Sequence, residues 1–223
     1  GTTSANYNAA FGSCAIANNT TGSQNTGVGH ATLRANTGSN NTGIGFAALL
    51  NTTVSNNTAV GACTLYANTT GIANAGFGYK ALYSNTTGHR NVAIGQTALQ
   101  ANTTGTQNTA TGLNALYSNT TGNYNTASGY ISLTCNTTGC YNTAIGKAAL
   151  IANTTASQGV AVGFATLTAN TTGGCNTGLG DQALGSNTTA GFNTATGMYS
   201  LLYNTTGARN TASGAYAFKN NTT

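Results

Sequence analysis

The sequence contains no proline and no tryptophan, and only 3% of its 223 residues are charged. Acidic side chains are nearly absent, because Asp181 is the single acid against six lysines and arginines. General acid–base catalysis requires several positioned titratable groups. From this inventory we expect no enzyme, no catalytic residue and no bound cofactor.

Two classes of partner are disfavoured for related reasons. The basic residues are spread along the chain, whereas a nucleic-acid interface concentrates them on one face. A membrane-spanning helix needs about 18 or more consecutive apolar residues, and the sequence has no such run. We therefore predict neither nucleic-acid binding nor membrane insertion.

The chain consists instead of thirteen copies of a repeat of about 17 residues. Its consensus is Asn-Thr-Thr-Gly-x-x-Asn-Thr-Ala-h-Gly-x-x-Ala-Leu-x-x, where h is usually apolar and x varies. We predict one domain over residues 1–223, with coils at about 2–18, 19–35, 36–50, 51–67 and then every 17 residues to 220. Neither end of this array carries a distinct cap, which favours a longer array or end-to-end stacking.

Two columns of the repeat keep the same kind of residue in every copy, one glycine and the other a large apolar residue. The glycine that ends each Asn-Thr-Ala-h-Gly unit indicates a positive φ or a close backbone approach. This Gly column comprises Gly12, Gly29, Gly45, Gly61, Gly78, Gly95, Gly112, Gly129, Gly146, Gly163, Gly180, Gly197 and Gly214. Four residues later stands a predicted core stack, the Leu column, formed by Leu33, Leu49, Leu65, Leu82, Leu99, Leu116, Leu133, Leu150, Leu167, Leu184 and Leu201.

The repeat predicts an all-β fold, a parallel β-solenoid (β-roll) of about 13 coils with two short strands in each coil. Asn-Thr-Ala-h-Gly forms the first strand, x-Ala-Leu-x the second, and Asn-Thr-Thr-Gly a turn. Alternation places Thr and h on one face and Asn and Ala on the other. We expect Leu and h to pack between coils, the Asn of the first strand to form a ladder, and the small Ala columns to admit another chain.

Cysteine, histidine and the Asn-Thr-Thr turns provide the remaining candidate sites. Cys135 and Cys140 flank one turn and could close it as a local disulfide, or all five cysteines could be small fillers. His30 and His89 occupy different columns, so we predict no metal site. Asn-Thr-Thr is a glycosylation acceptor, with predicted sites at Asn68, Asn85, Asn102 and Asn119. The alternative is a turn-forming Asn, because coils about 4.8 Å apart leave little room for a glycan on each.

Several strands resemble the head repeats of trimeric autotransporter adhesins (YadA-like), among them Asn91-Val92-Ala93-Ile94-Gly95 and Asn142-Thr143-Ala144-Ile145-Gly146. The wider pattern is similar to that of tail-fibre and surface-fibre repeat proteins. The resemblance implies a left-handed β-roll and three rolls side by side. The period of 17 residues is longer than the usual coil of the head family.

These features predict a structural segment of an extracellular or cell-surface filament, or of a virion, that assembles with copies of itself. The alternatives are a viral or phage tail-fibre shaft that binds a receptor, glycans or a host surface, and an ice-binding protein. Ice binding uses flat arrays of Thr, whereas here the paired Thr residues lie at a turn and the strand Thr shares its face with h. We therefore expect the structural role.

Overall fold

The computed structural model describes residues 5–223 and is all-β over that range. Each repeat contributes one strand of three residues, and the chain divides into two compact units, Gly1–Asn108 and Thr109–Thr223. The first unit contains β1 (Ala9–Phe11), β2 (Thr26–Val28), β3 (Thr42–Ile44), β4 (Thr58–Val60), β5 (Ala75–Phe77) and β6 (Val92–Ile94). The second contains β7 (Thr109–Thr111), β8 (Thr126–Ser128), β9 (Thr143–Ile145), β10 (Val160–Val162), β11 (Thr177–Leu179), β12 (Thr194–Thr196) and β13 (Thr211–Ser213).

Within each unit, every strand pairs in parallel with the strand of the next repeat. Equivalent residues are register partners, as with Thr126 and Thr143 or Ala127 and Ala144. A parallel ladder between successive repeats requires each repeat to make one complete coil. The predicted parallel β-solenoid is therefore confirmed.

The Gly column has the geometry that its invariance predicts. Its φ angles run from 120° to 141°, a region that L side chains rarely adopt. Space is equally restricted, since a Cβ on Gly163 would lie 2.6 Å from the carbonyl oxygen of Gly180 in the next coil. The column thus marks the sharp bend after each strand, where successive backbones touch.

The predicted second strand is wrong, because the x-Ala-Leu-x segment is a turn. Non-glycine residues with positive φ alternate along it, as at Ile131 (53°) and Leu133 (52°). The alternation points successive amides in opposite directions: Ile131 N–H donates to Leu113 O of the preceding coil at 2.9 Å, and Leu133 N–H to Ala149 O of the following coil at 2.9 Å. Left-handed residues cost about 1–3 kcal/mol each, and these inter-coil hydrogen bonds offset that cost.

The Leu column forms the core, as predicted. Its members from Leu33 to Leu201 are at most 1% exposed, and the two Ala columns around it are buried as well. Opposite the Leu column stands a strand residue with almost no side chain. A Cβ on Gly27, for example, would lie 2.8 Å from Ile16 Cγ1. One Leu therefore fills the width of each coil.

The h column lies outside this core, contrary to expectation. Ile94 is 44% exposed and Ile145 is 42% exposed, whereas Ala93 and Ala144, the residues before them, are completely buried. The predicted alternation is correct, but the Asn and Ala face points inward. The interior has no room for a second large side chain opposite Leu. The small Ala residues are consequently unavailable to a partner chain.

One predicted coil boundary, the one between residues 50 and 51, lies one residue later in the structure. Thr52, not Asn51, occupies the buried place at the start of the fourth coil, and its N–H donates to Leu49 O as Asn68 N–H does to Leu65 O. The coils therefore span 36–51 and 52–67. Each loses one residue from its turn, which keeps the strands in register.

Replacing Leu116 by Ala should lower the free energy of unfolding by about 2–5 kcal/mol, because the neighbouring coils cannot close the cavity. Leu113 lies in the same coil and is 39% exposed, so L113A is the matched control and should cost about 0.5 kcal/mol or less. Urea denaturation measures both values. Equal losses would contradict the assignment of the core.

Replacing Gly163 by Ala should cost at least about 1–3 kcal/mol, since the new residue would be strained and would collide with the next coil. Gly174→Ala is the control, because a Cβ there lies 3.2 Å from its nearest neighbour, Ser157 O, and so needs only a small adjustment. Thermal unfolding monitored by circular dichroism should show a clear drop for G163A and a small one for G174A. A stable G163A protein would show that the bend is not required.

Candidate functional site

The described part of the chain, residues 5–223, contains no cavity and no cluster of three potential metal ligands. His30 stacks on Phe46 with ring centroids 5.5 Å apart and planes at 9°. Asp181 is partly exposed, and its Oδ1 is buried without a hydrogen-bond partner in the same range. The chemical features that recur are hydrogen-bonded ladders inside the coils and columns of side chains on their surface.

The first ladder is formed by the strand Asn, the seventh residue of the repeat. The backbone N–H of Asn91 donates to Asn74 Oδ1 at 3.0 Å, and Asn108 N–H donates to Asn91 Oδ1 at 3.0 Å. The Asn91 side-chain amide also donates to Gly105 O at 2.8 Å, so it joins the strand to a turn of the next coil. The predicted Asn ladder is confirmed, and at Gly159 the backbone N–H still donates to Asn142 Oδ1.

A second ladder, which the sequence did not predict, is formed by the Asn that begins each Asn-Thr-Thr turn. Asn85 Nδ2 donates to Asn68 Oδ1 at 2.8 Å and to Gly88 O at 2.9 Å, and Asn102 Nδ2 donates to Asn85 Oδ1 at 2.8 Å. Each amide therefore holds its own turn and the neighbouring turn together. Buried amides need such partners, since an unsatisfied group costs about 1–3 kcal/mol.

The predicted glycosylation sites are members of this turn ladder, an arrangement that favours the alternative of a turn-forming Asn. Asn68, Asn85, Asn102 and Asn119 are all completely buried, and the amide nitrogen that would carry a glycan points into the coil. An enzyme could reach it only by unfolding the turn. Asn51, which begins an Asn-Thr-Thr sequence but lies outside the ladder, is half-buried instead.

The outward strand face carries the strand Thr column, the eighth residue of the repeat, beside the h column. In the first unit the h column is apolar throughout: Phe11, Val28, Ile44, Val60, Phe77 and Ile94. In the second unit four of its members carry hydroxyls: Thr111, Ser128, Thr196 and Ser213. The sequence contained a signal for this exposure, because the buried Asn and Ala columns do not tolerate such mixtures of size and polarity.

The hydroxyl groups of turn Thr residues next to the ladder Asn form hydrogen bonds within the protein, whereas those of the strand Thr column form none within residues 5–223. The turn Thr after each ladder Asn bonds to the next coil, as when Thr137 Oγ1 donates to Thr154 O at 3.1 Å and Thr154 Oγ1 to Thr171 O at 3.2 Å. The hydroxyls of Thr126 and Thr143 in the strand column have no hydrogen-bond partner within residues 5–223. Their hydrogen-bonding capacity is directed to solvent.

Aromatic rings and lysines form local clusters on the surface of the coils. Lys80 Nζ lies 5.2 Å from the Tyr79 ring centroid and 5.4 Å from that of Tyr83. A hydrogen bond with Tyr79 raises the pKa of Lys80 above its ordinary value. Tyr124 and Tyr141 stack at 4.8 Å with planes 4° apart. Their facing surfaces cover each other, which leaves mainly ring edges for any partner.

The sequence left two alternatives for Cys135 and Cys140, a local disulfide or small fillers, and the structure has the second, with all five cysteines as free thiols. Cys135 is exposed, whereas Cys140 Sγ accepts a hydrogen bond from Asn123 N–H at 3.3 Å. The buried Asn136 lies between them, with its amide donating to Gly139 O at 3.0 Å. The turn is thus closed by the amide of Asn136.

Comparison with family models, with characterised proteins and with solved structures gives no match for this chain. Within residues 5–223 the fold also provides no helix that could cross a membrane. The resemblance to adhesin head repeats therefore stays a prediction. Inference about function depends on the ladders and on the exposed columns.

Replacing Asn85 by Asp should lower the free energy of unfolding at neutral pH by at least about 1–3 kcal/mol. The carboxylate cannot donate to Asn68 Oδ1 or Gly88 O and would be buried among oxygen atoms. Burial raises the pKa of a carboxyl group, so the loss should be largest above that pKa and should diminish as acid protonates the group.

The control is Asn40→Asp, because Asn40 is exposed and Asp also tolerates its φ of 59°. Urea denaturation at acidic and neutral pH distinguishes the two variants. A pH-independent N85D protein of normal stability would contradict the turn ladder.

Proposed function

We propose that this chain is a structural, non-enzymatic segment of a fibre at a cell or virion surface, built by the stacking of β-coils. The observation that supports it most directly is the pair of Asn ladders. Most of their amides bond to the equivalent residue one coil away, as between Asn85 and Asn102. Thr52 interrupts the turn ladder and Gly159 the strand ladder, and both still bond to the neighbouring ladder Asn. In such an interior each added coil contributes the same hydrogen bonds, so the fold becomes more stable as coils are added. This kind of stability suits a structural element that contains no cavity and no unique site.

The hydrogen-bond directions suit a load-bearing element. Backbone amides of strand, bend and turn all bond to neighbouring coils, as in Val92 N–H to Asn108 O at 2.8 Å and Thr86 N–H to Thr103 O at 3.0 Å. These bonds lie between coils, so a force that separates two coils must break several of them together. Solenoid stability is approximately a sum of such nearest-neighbour terms.

The surface of the first unit supports self-association. Ile44 is 39% exposed, Phe77 is 40% exposed and Ile94 is 44% exposed, and all belong to the same outward column. Contiguous apolar surface on a soluble protein usually marks an interaction site. We propose that this column packs laterally against copies of the same chain. The low charge of the chain, 3%, imposes little repulsion between copies.

The test is assembly of the purified chain. Electron microscopy should show elongated fibres, and aligned fibres should give an axial X-ray reflection at about 4.8 Å, the spacing of parallel strands. Phe77→Glu combined with Ile94→Glu should abolish lateral bundling and leave that reflection, because both side chains face outward. Gln96→Glu is the control for added charge. A monodisperse monomer without elongated particles, as judged by light scattering, would refute the proposal.

A further inference from the structure

We propose that the outward strand face of the Thr109–Thr223 unit binds ice, with an ordered layer of water as its ligand. This inference goes beyond the structural role and rests on different residues from those proposed for lateral association. It depends on the arrangement of hydroxyl and methyl groups on β7 to β13. The sequence disfavoured ice binding because the paired Thr residues lie at a turn and the strand Thr shares its face with h. The structure places that shared face outside the core.

The strand face of this unit carries two columns in register, one of nearly uniform Thr and one of mixed hydroxyl and aliphatic side chains. The strand Thr column contains Thr109, Thr126, Thr143, Val160, Thr177, Thr194 and Thr211, so six of its seven members are Thr and the seventh has nearly the same shape. The h column beside it contains Thr111, Ser128, Ile145, Val162, Leu179, Thr196 and Ser213. No charged residue interrupts either column.

Register keeps the two columns straight. Thr126 pairs with Thr143 and Thr177 with Thr194, and each pairing between successive strands of this unit joins equivalent positions. Every repeat in it has 17 residues, so no bulge displaces a row. The array therefore repeats at about 4.8 Å between strands and about 6.7 Å between alternate residues of one strand. Both distances are comparable to the oxygen repeats of hexagonal ice.

The hydroxyl groups are available to water. Those of Thr126, Thr143 and Thr177 have no hydrogen-bond partner in the described chain, whereas turn hydroxyls such as that of Thr137 are bonded to the next coil. A Thr hydroxyl donates one hydrogen bond and accepts two. Each methyl group between hydroxyls restricts the orientations of nearby water. A rigid array of this kind holds a layer of water at fixed spacings, and ice can grow onto that layer.

A second copy of the chain fits this face less well. Covering the Thr column with another protein would remove water from hydroxyls that have no other partner, at a cost of about 1–3 kcal/mol for each unsatisfied group. The h column of this unit does expose Ile145 (42%) and Leu179 (38%) at its centre, but hydroxyl residues stand on both sides of them. The first unit contrasts with it, because its h column is apolar throughout and includes Phe11 and Phe77. We therefore assign lateral packing against other copies to the strand face of the first unit, and ice binding to the strand face of the second unit.

The test measures thermal hysteresis and the adsorption of fluorescently labelled full-length chain to a single ice crystal. The variant Thr143→Tyr with Thr177→Tyr places two rings on the array and should lose both signals. The matched control is Thr138→Tyr with Thr172→Tyr, because both residues are exposed Thr of turns in the same unit. The control should keep both signals.

Three results would overturn the proposal: no adsorption of the unmodified chain, equal loss in both variants, or adsorption unaffected by the strand substitutions. Circular dichroism should show the same unfolding temperature for both variants, which excludes misfolding as the cause of a loss. Electron microscopy of the same samples reports fibre assembly separately. A failure of ice binding therefore does not count against the structural proposal. A failure of fibre assembly likewise does not count against ice binding.

Discussion

An asparagine amide buried inside a narrow coil needs partners for two N–H donors and a carbonyl, and water cannot supply them. The structure meets that need by placing an equivalent amide one coil away, as in the succession Asn68, Asn85, Asn102. Each coil must then have the same path and the same register as its neighbours. This requirement explains the constancy of the repeat length and the shared loss of one residue in the two shorter coils.

The narrowness of the coil follows from the same arrangement. Two Asn columns and one Leu column occupy the interior, so the remaining inward positions hold Ala, Gly or a small hydroxyl residue. The backbone must bend sharply after the strand, at the Gly column, and again through left-handed residues such as Leu133. These conformations are unfavourable individually. They persist because each bend directs amides toward carbonyls in the adjacent coils.

Since the interior is determined by a few columns, the outward columns are free to vary. The two units use that freedom differently. The h column of the first unit is apolar throughout, whereas that of the second unit has hydroxyl side chains at both ends and three aliphatic ones, Ile145, Val162 and Leu179, between them. A single scaffold thus presents a surface suited to packing against protein and another suited to contact with ordered water. Neither surface alters the ladders beneath it.

The sequence by itself determined the repeat, the parallel β-solenoid, the Gly bend, the Leu stack and the ladder of strand Asn, because each follows from a side-chain pattern within one coil. Only the tertiary structure decided which strand face is buried, since alternation gives two faces of equal period and Leu from another segment fills the single interior space. It also decided that the ladder Asn of each turn, such as Asn85, points inward, and that x-Ala-Leu-x is a turn. These outcomes depend on contacts between coils, and no pattern within one repeat records them.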